Sequence, residues 1–546
     1  MTVGDIKKID ITTSDFRDII SRGCFYVDKT KMIDSFLTSS NRVHLVARQR
    51  RLGKTLNMDT LRCFLTDKED LRYLFKGLYI EKSPLWEKAN SAPVFYFDFK
   101  ALDAKGYKPQ VVQMVNKHIY SVINPKQMDG YCKDIYDSLM GNPDLASNAI
   151  YILTEIVFEV TGKRSYILID EYDKLLMEIY DKQTYEEIRN FITHLFSSAV
   201  KSNQYLEKAL LTGVMRISHE SMFSGLNNII TYDVFRDNIY TNDYGFTEEE
   251  IEEIGKLAEF DVTKLRQWYK GVRIFGTPIY NTFSVMSFLL HNQYDCYWGK
   301  SGTMDIIRNS LNDSRLAVLA KLLNGELAEV SMEDRVSLCQ LAVGADDAAF
   351  YSLLVQAGYF ALGDKVPGKF SANYVSIPNT ELMLVWKGFI LRTLHQNSIQ
   401  VKTLFDNVGN INVFEQDLEY FLSDRLSFYD LTAKDEEEPR RVNEKLYHIF
   451  LLGILSAYEH IRCRYPLSNR ESGDGRYDIL AERPDENIIF EFKACSAEED
   501  LEKAAKKALE QIISKRYGED LGSNKKLVKA GIAFHKKKVR VKCAAK

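Results

Sequence analysis

Over roughly the first 245 residues, short runs rich in β-branched and aromatic side chains alternate with longer helical patterns, and this alternation restricts the fold more than any other feature. The runs are RVHLVA (42–47), APVFYFDF (92–99), SYILID (165–170) and ALLTGV (209–214). Strands separated by helices pair in parallel, because the crossover returns the chain to the same end of the sheet and leaves the helices on its two faces. Residues 1–246 are therefore expected to form one α/β unit. At 546 residues the chain is too long for a single core, so further units must follow.

RQRRLGKT (48–55) stands directly between the first run and the helical KTLNMDTLRCFL. A phosphate-binding loop needs a tight turn, a lysine for the β- and γ-phosphates and a hydroxyl for magnesium. Gly53, Lys54 and Thr55 supply these, with Arg48 where the first glycine of such a loop would stand. Gly-Lys-Thr alone is a frequent coincidence. About 110 residues on, however, YILIDEYDK ends a hydrophobic strand in Asp170 and Glu171, placed to hold magnesium and to orient a water. A solvated Lys54 and an Asp170 that merely caps a helix leave this pairing unexplained. Thr212 ends a later strand, where a γ-phosphate sensor and a turn threonine are both compatible. Arg50 and Arg51 suit bidentate phosphate binding or ion pairs elsewhere. Arg216 offers a further sensor position, while Asp28 and Lys29 read more readily as capping residues than as nucleotide contacts. ATP with Mg²⁺ is the expected cofactor.

From Thr247 the pattern turns helical, and Glu250 three residues on completes a capping box that predicts a helix start. Helical segments run to about 360, where FALGDKVPGKFSANYVSI (360–377) reads as a hairpin. Helix plus hairpin fits a winged helix and equally an ordinary connection. The charged TAKDEEEPRRVNEK (432–445) reads as a solvated linker. The expected units are 1–246, a helical middle region 247–400, and 401–546.

In RYDILAERPDENIIFEFKA (476–494) two strands flank a short loop. If Glu482 pairs with Asn487, register sets Asp478 opposite Glu491, and the period of two puts Lys493 on the face of Glu491. Phe490 and Phe492 then face a core. Two facing carboxylates repel unless a hard cation lies between them, so magnesium or manganese is expected there, with Lys493 steadying an attacking water or developing charge. The plain alternative is an exposed cross-strand ion pair. With a helix before and after, the segment order is α-β-β-α-β. Lysines 503, 506, 507, 515, 525, 526 and 529, Arg516 and KKKVRVK (536–542) lie nearby and suit a phosphate backbone, though such runs also form solvated surface.

Net charge is −4, which excludes a global positive field, so nucleic-acid binding has to come from a local patch. The eight cysteines are scattered singly, arguing against a disulfide framework or zinc ribbon. No apolar stretch approaches the ~20 residues of a membrane span, and the N-terminus lacks a signal-peptide core. A cytoplasmic protein without membrane association is expected; a homo-oligomer is compatible. No histidine or serine pattern of a metalloprotease or serine hydrolase is present.

Together, FYVDKT (25–30), RQRRLGKT, LIDEYDK (168–174), LLTGVMRIS (210–218), FSGLNNI (223–229), IYNTFSV (279–285) and the C-terminal D-x12-E-x-K resemble the bacterial AAA-ATPase-like proteins fused to a PD-(D/E)XK nuclease-superfamily domain. In that family the loop usually reads RPRRFGKS, also without the first glycine, so this chain departs at Gln49, Leu52 and Thr55. It also has WYKGVRIFG (268–276) where the family more often has Tyr-Asn-Gly-Tyr. The resemblance implies a P-loop NTPase fold followed by a restriction-endonuclease-like α/β domain. It further implies that Glu444, on the helix before the hairpin, completes the metal site and that Gln511 lies near it, with Tyr517 structural. Glu471 reads equally as a support for a metal ligand and as a plain loop acid. The activity implied is an ATP-regulated, metal-dependent DNA endonuclease. The alternative is a non-cleaving ATPase switch whose nuclease-like domain only binds nucleic acid or a protein partner; a phosphotransferase unrelated to nucleic acid fits the basic segments less well.

Overall fold

A computed structural model of the protein describes residues 2–177, 179, 182–214, 228–236, 239–299, 313–323, 325–333, 346–369, 371–394, 410–425, 464–468, 471–472, 475–482, 486–495, 497–519, 521 and 525–545. The chain divides into two compact units, Met1–Lys300 with Glu329–Glu381, and Ser301–Ala328 with Leu382–Lys546.

The first unit is built on five strands: β1 (Val43–Ala47), β2 (Val94–Asp98), β3 (Ser165–Asp170), β4 (Leu206–Gly213) and β5 (Ile229–Tyr232). Their order is β2-β3-β4-β1-β5 and every pairing is parallel. The four expected runs are the first four strands; the short IITY of β5 was not foreseen. All residues of β1 and β3 are buried, as a parallel sheet covered on both faces requires. Strands β1 and β3 are separated in the sheet by β4, so the carboxyl ends of three strands meet where the loop after β1 begins.

Residues 247–300 belong to this same unit, so the boundary expected at 246/247 does not divide compact bodies. Phe246 bridges to Tyr280, and one core gathers Phe25, Val27, Phe246, Ile251, Ile254, Leu265, Tyr269, Tyr280, Val285 and Phe288. Apolar side chains on both sides of the expected boundary bury one another, which a helical-pattern change cannot reveal. The helix after α1 (Lys54–Leu65) relevant here, α2 (Glu248–Ala258), starts at the expected capping box. Helix α3 (Thr282–His291) is capped by Asn281.

The 360–377 hairpin forms as β7 (Ala361–Lys365) and β8 (Ala372–Ser376), and β6 (Ala328–Ser331) joins it in the order β6-β8-β7. It is thus more than a connection. The helix before it, α4 (Asp347–Ala357), is buried at every residue from Ala348 to Ala357. A helix buried all round has no face for reading a groove, so a DNA-reading winged helix finds no support in α4.

The second unit carries a sheet of β9 (Arg464–Ser468), β10 (Ile479–Glu482), β11 (Glu486–Ala494), β12 (Lys526–His535) and β13 (Lys538–Ala545), in that order. Only β11 and β12 are parallel, joined through helix α5 (Leu501–Ser514). The single closing strand expected from the sequence is in fact a hairpin, β12–β13, turning at Lys536 and Lys537, with Val539 and Val541 facing inward. Leu501, Ala505, Ala508 and Ile512 give α5 its buried stripe. The helix expected before the 476–494 hairpin, and Glu444 with it, lies outside the described residues.

Candidate functional site

Two sites are framed by these sheets, one in each unit. In the first, β1 runs into the loop 48–53 and the loop into α1, whose N-cap is Gly53 at φ 80°. Arg51 is also left-handed, at φ 64°. Alternating left-handed residues aim successive backbone amides into a concavity suited to phosphate. Lys54, 4% exposed, donates through Nζ to the carbonyls of Arg48 (3.2 Å) and Gln49 (3.1 Å) and so arches over the loop.

Asp170 is the meeting point of the site. Its carboxylate accepts from the Thr55 hydroxyl at 2.6 Å, from the Thr212 hydroxyl and, more distantly, from Tyr96 at 3.4 Å. Asp170 and Thr212 are almost fully buried. Thr212 therefore serves the acid and is no mere turn residue. Thr55 and Asp170 bring oxygen donors together at the head of the loop, the donor chemistry a magnesium-bound nucleotide requires. Glu171 follows at φ 53°, a conformation that costs a non-glycine residue of order 1 kcal/mol and recurs at functional sites.

The arginines divide. Arg48 is fully buried, its guanidinium donating to the carbonyls of Ala47 (3.0 Å) and Tyr232 (3.1 Å) and lying over Tyr244, so it anchors β1 to β5. Arg51, for which the sequence left phosphate binding and pairing elsewhere both open, turns to the back of the loop: its Nη1 donates to the Tyr297 carbonyl at 2.8 Å and its guanidinium stacks 4.0 Å from the Phe283 ring. An aromatic face and a carbonyl on one side satisfy the planar cation where it is. Arg50 remains half-buried, near enough to Lys174 that its charge adds to burial in lowering the Lys174 pKa. Asp28 caps Thr30, and Lys29 pairs with Glu250 at 2.7 Å, the structural roles favoured by the sequence. Arg216 lies outside the described residues.

The departures from the family loop have local causes. Leu52 is 1% exposed and packs at Gly245, where a Cβ would stand 3.1 Å from it. Gln49 fills the space left by Gly358, where a Cβ would overlap its amide oxygen. Sequence reasoning missed the residues that hold the back of the loop: Gly245, Asn281, Thr282, Trp298 and Glu381. The IYNTFSV motif was the one signal for two of them, and it carried no chemistry of its own.

In the second unit the predicted register holds. Glu482 pairs with Asn487, and Ile479 with Phe490. One step further, Asp478 stands level with Glu491 and accepts the Phe492 amide through Oδ2 at 2.8 Å. Glu491, 3% exposed, accepts through Oε1 from Lys493 Nζ at 3.3 Å and from the Gln511 side-chain amide. Phe490 and Phe492 point into the core, as expected. Burial pushes the Asp478 carboxyl pKa up, opposed by the Phe492 amide and the Lys493 charge. Gln511 reaches the site because α5 lies unusually close to β12: a Cβ on Gly531, the partner of Glu491, would meet Leu509 N at 2.3 Å and Ala505 O at 2.6 Å. Tyr517 packs with Tyr477, Leu480, Ile489 and Ile512, a structural role. Glu471 lies in a two-residue strand, Glu471–Ser472.

The carboxylate oxygens of Asp478 and Glu491 are the donors that fit a hard divalent cation, with Lys493 and the Gln511 amide orienting Glu491 beside them. Among the described residues no group of three or more His, Cys, Asp or Glu side chains is placed to hold a metal ion. The basic surface is partly neutralised: Lys538 pairs with Glu419, Arg540 with Glu415, and Lys542 with Glu502. Lys503, Lys507 and Lys515 stay exposed. No described helix is long and apolar enough to cross a membrane.

A parallel sheet with its phosphate loop in one unit and a mixed sheet with a D-x12-E-x-K hairpin in the other define a P-loop NTPase fold and an endonuclease-like fold on one chain. Comparison with known families agrees: residues 10–223 match the predicted AAA-ATPase family and residues 442–543 the PD-(D/E)XK nuclease superfamily. The chain thus joins an AAA-ATPase-like domain to a PD-(D/E)XK nuclease-superfamily domain. It is 26% identical over 345 residues to an uncharacterized protein in the vnfD 5′ region of Azotobacter chroococcum mcd 1, a match spanning 62% of this chain and 61% of that protein. Among solved structures, the Aeropyrum pernix ORC1 protein in complex with DNA aligns at 10% identity with a TM-score of 0.23, covering 67% of this chain and 94% of that one, too slight a likeness to bear on function.

Proposed function

We propose that the protein binds and hydrolyses ATP in its first unit and cleaves DNA in its second, with nucleotide state regulating cleavage. The observation that supports this reading best is the set of Asp478, Glu491, Lys493 and Gln511, brought together by one hairpin and its covering helix. Magnesium or manganese, when bound by Asp478 and Glu491, supplies polarisation of the scissile phosphate and a more acidic water. Lys493 then lies one strand period from Glu491, suited to orient the attacking water or to balance charge on the phosphate. Gln511 and Lys493 hold the Glu491 carboxylate in one orientation. In the first unit Lys54 binds the β- and γ-phosphates, Thr55 and Asp170 hold the magnesium, and Glu171 orients water, with Thr212 fixing Asp170.

The test is incubation of the full chain with plasmid, linear and single-stranded DNA and with RNA, in Mg²⁺ or Mn²⁺, with and without ATP. The wild type is expected to cut DNA, and Asp478→Ala to reduce cutting by about a hundredfold or more, the scale of losing a metal-directed group. Lys54→Ala is expected to remove the response to ATP. Cleavage that survives Asp478→Ala overturns the catalytic assignment. Cleavage indifferent to both ATP and Lys54→Ala overturns the regulation, and binding without cutting in every condition favours the non-cleaving switch.

A further inference from the structure

We propose that Asn281, Thr282 and Trp298 form a clamp that shapes the phosphate loop from behind, with Thr282 as its principal positioning residue. The proposal rests on the nucleotide-binding reading given above. The loop lacks its first glycine, and the fully buried Arg48 in that position ties the corner to β5. Something other than glycine flexibility has to set the peptide planes that follow.

Three successive carbonyls show what does. The Arg50 carbonyl accepts from Asn281 Nδ2 at 3.3 Å and from Trp298 Nε1 at 3.4 Å. The Arg51 carbonyl accepts the Thr282 hydroxyl at 2.7 Å, the shortest of these contacts. The Leu52 carbonyl accepts the Gly245 amide at 3.1 Å. In a trans peptide the carbonyl of one residue and the amide of the next point opposite ways. Pinning the carbonyls of 50, 51 and 52 toward residues 245–298 therefore turns the amides of Arg51, Leu52 and Gly53 away from that segment. With Arg51 and Gly53 left-handed, those amides can converge as an anion nest does.

The clamp is itself held firmly. Asn281 Oδ1 accepts the Ser284 amide at 3.1 Å as the cap of α3, which fixes its Nδ2 toward Arg50. The amides of Tyr297 and Trp298 each donate to Glu381 Oε1 at 2.7 Å. The Tyr297 carbonyl in turn holds the Arg51 guanidinium, and this contact maintains the left-handed turn at a non-glycine residue. The IYNTFSV segment thereby acquires a role: its Asn-Thr pair stands in for the missing glycine by imposing geometry from outside.

Thr282→Val keeps the shape and removes the donor; Thr282→Ser keeps the donor. Binding of a fluorescent ATP analogue to the full chain, with thermal unfolding measured in parallel, separates positioning from packing. Thr282→Val is expected to weaken binding about tenfold, the scale of one hydrogen bond, with Tm little changed. Thr282→Ser should bind as the wild type. Asn281→Asp, which keeps the cap but presents an acceptor to the Arg50 carbonyl, should weaken binding further. Wild-type affinity in both Thr282→Val and Asn281→Asp overturns the clamp, and so does equal loss in the Val and Ser variants. Lys54→Ala distinguishes the underlying reading: if the wild type binds the analogue no better than Lys54→Ala, nucleotide binding at this loop falls and the clamp with it.

Discussion

The carboxylate hairpin draws its chemistry from sixteen consecutive residues and one helix, whereas the phosphate site is assembled from residues scattered between 48 and 298. In the hairpin, the pairing of Glu482 with Asn487 sets Asp478, Glu491 and Lys493 at once. In the phosphate site, Thr55, Tyr96, Asp170 and Thr212 meet only because β2, β3 and β4 line up next to the start of α1. Local assembly makes a site readable and leaves its parts inseparable, since one register shift moves every acting side chain to the wrong face. Distributed assembly lets binding, turnover and loop shape be altered one at a time.

The largest effect expected from that difference is at Glu171. Glu171→Gln should lower ATP hydrolysis by about a hundredfold or more, as loss of a positioned carboxylate does, while nucleotide affinity stays near wild type. Phosphate-release kinetics beside equilibrium binding measure both. A parallel fall in affinity and turnover would show that Glu171 supports the loop and that the site is less divisible than its geometry implies.

The hairpin is self-contained only if α5 can reach it, and Gly531 tests that condition. Alanine there drives a Cβ against the backbone of Leu509 and Ala505, atoms that cannot swing aside, so α5 must lift and take Gln511 from Glu491. We expect a loss of about 1–3 kcal/mol in denaturant unfolding of the second unit, the usual cost of overpacking. Cleavage should fall about tenfold while ATP binding is unchanged. Unaltered cleavage in a destabilised variant would mean that Gln511 is dispensable and the hairpin alone suffices.

How much of this was legible in the sequence follows the same division. Periodicity disclosed four of the five parallel strands, and the spacing of Thr247 and Glu250 disclosed the start of α2. Loop length disclosed the register at Asp478, because a two-stranded pairing is a local constraint. The Arg51 contact with Phe283 and Tyr297 was hidden, since a guanidinium beside Gly-Lys-Thr reads equally as a phosphate ligand until its neighbours are known. The boundary expected at 246 cuts through a shared core for a related reason. A change from strand to helix patterning marks a change in local structure, yet Phe25 and Phe246 share a core with Tyr280 across it. Glu381 was invisible altogether, lying about 330 residues from the loop it supports.

Glu381 yields the smallest effect and the most direct check on distributed assembly. Its carboxyl is 2% exposed and burial pushes its pKa from 4.5 up to about 7, against the opposing pull of the Trp298 amide, the Ser284 hydroxyl, the Tyr297 amide and the Arg51 charge. An acid whose folded pKa is raised is bound to its proton more tightly in the folded state, so folding takes up protons between the two values. Stability from this group is therefore full below about pH 4.5, declines as pH rises toward about 7, and is level above it. Glu381→Gln retains an amide oxygen to accept from Tyr297 and Trp298 and has no proton to lose. Between pH 5 and pH 8 the wild type should thus lose about 1–2 kcal/mol relative to the variant, the full shift being discounted for relaxation around the ion. Urea unfolding of both proteins at intervals across that range gives the difference, in which all other titrating groups cancel. The Trp298 and Tyr297 amides, the Ser284 hydroxyl and the Arg51 charge all favour the ionised acid, so ATP affinity of the wild type should rise relative to that of Glu381→Gln over the same interval, with Trp298 and Tyr297 carrying the change to Arg50 and Arg51. Parallel curves for the two proteins would detach Glu381 from the loop and leave the phosphate site more local than its hydrogen bonds suggest.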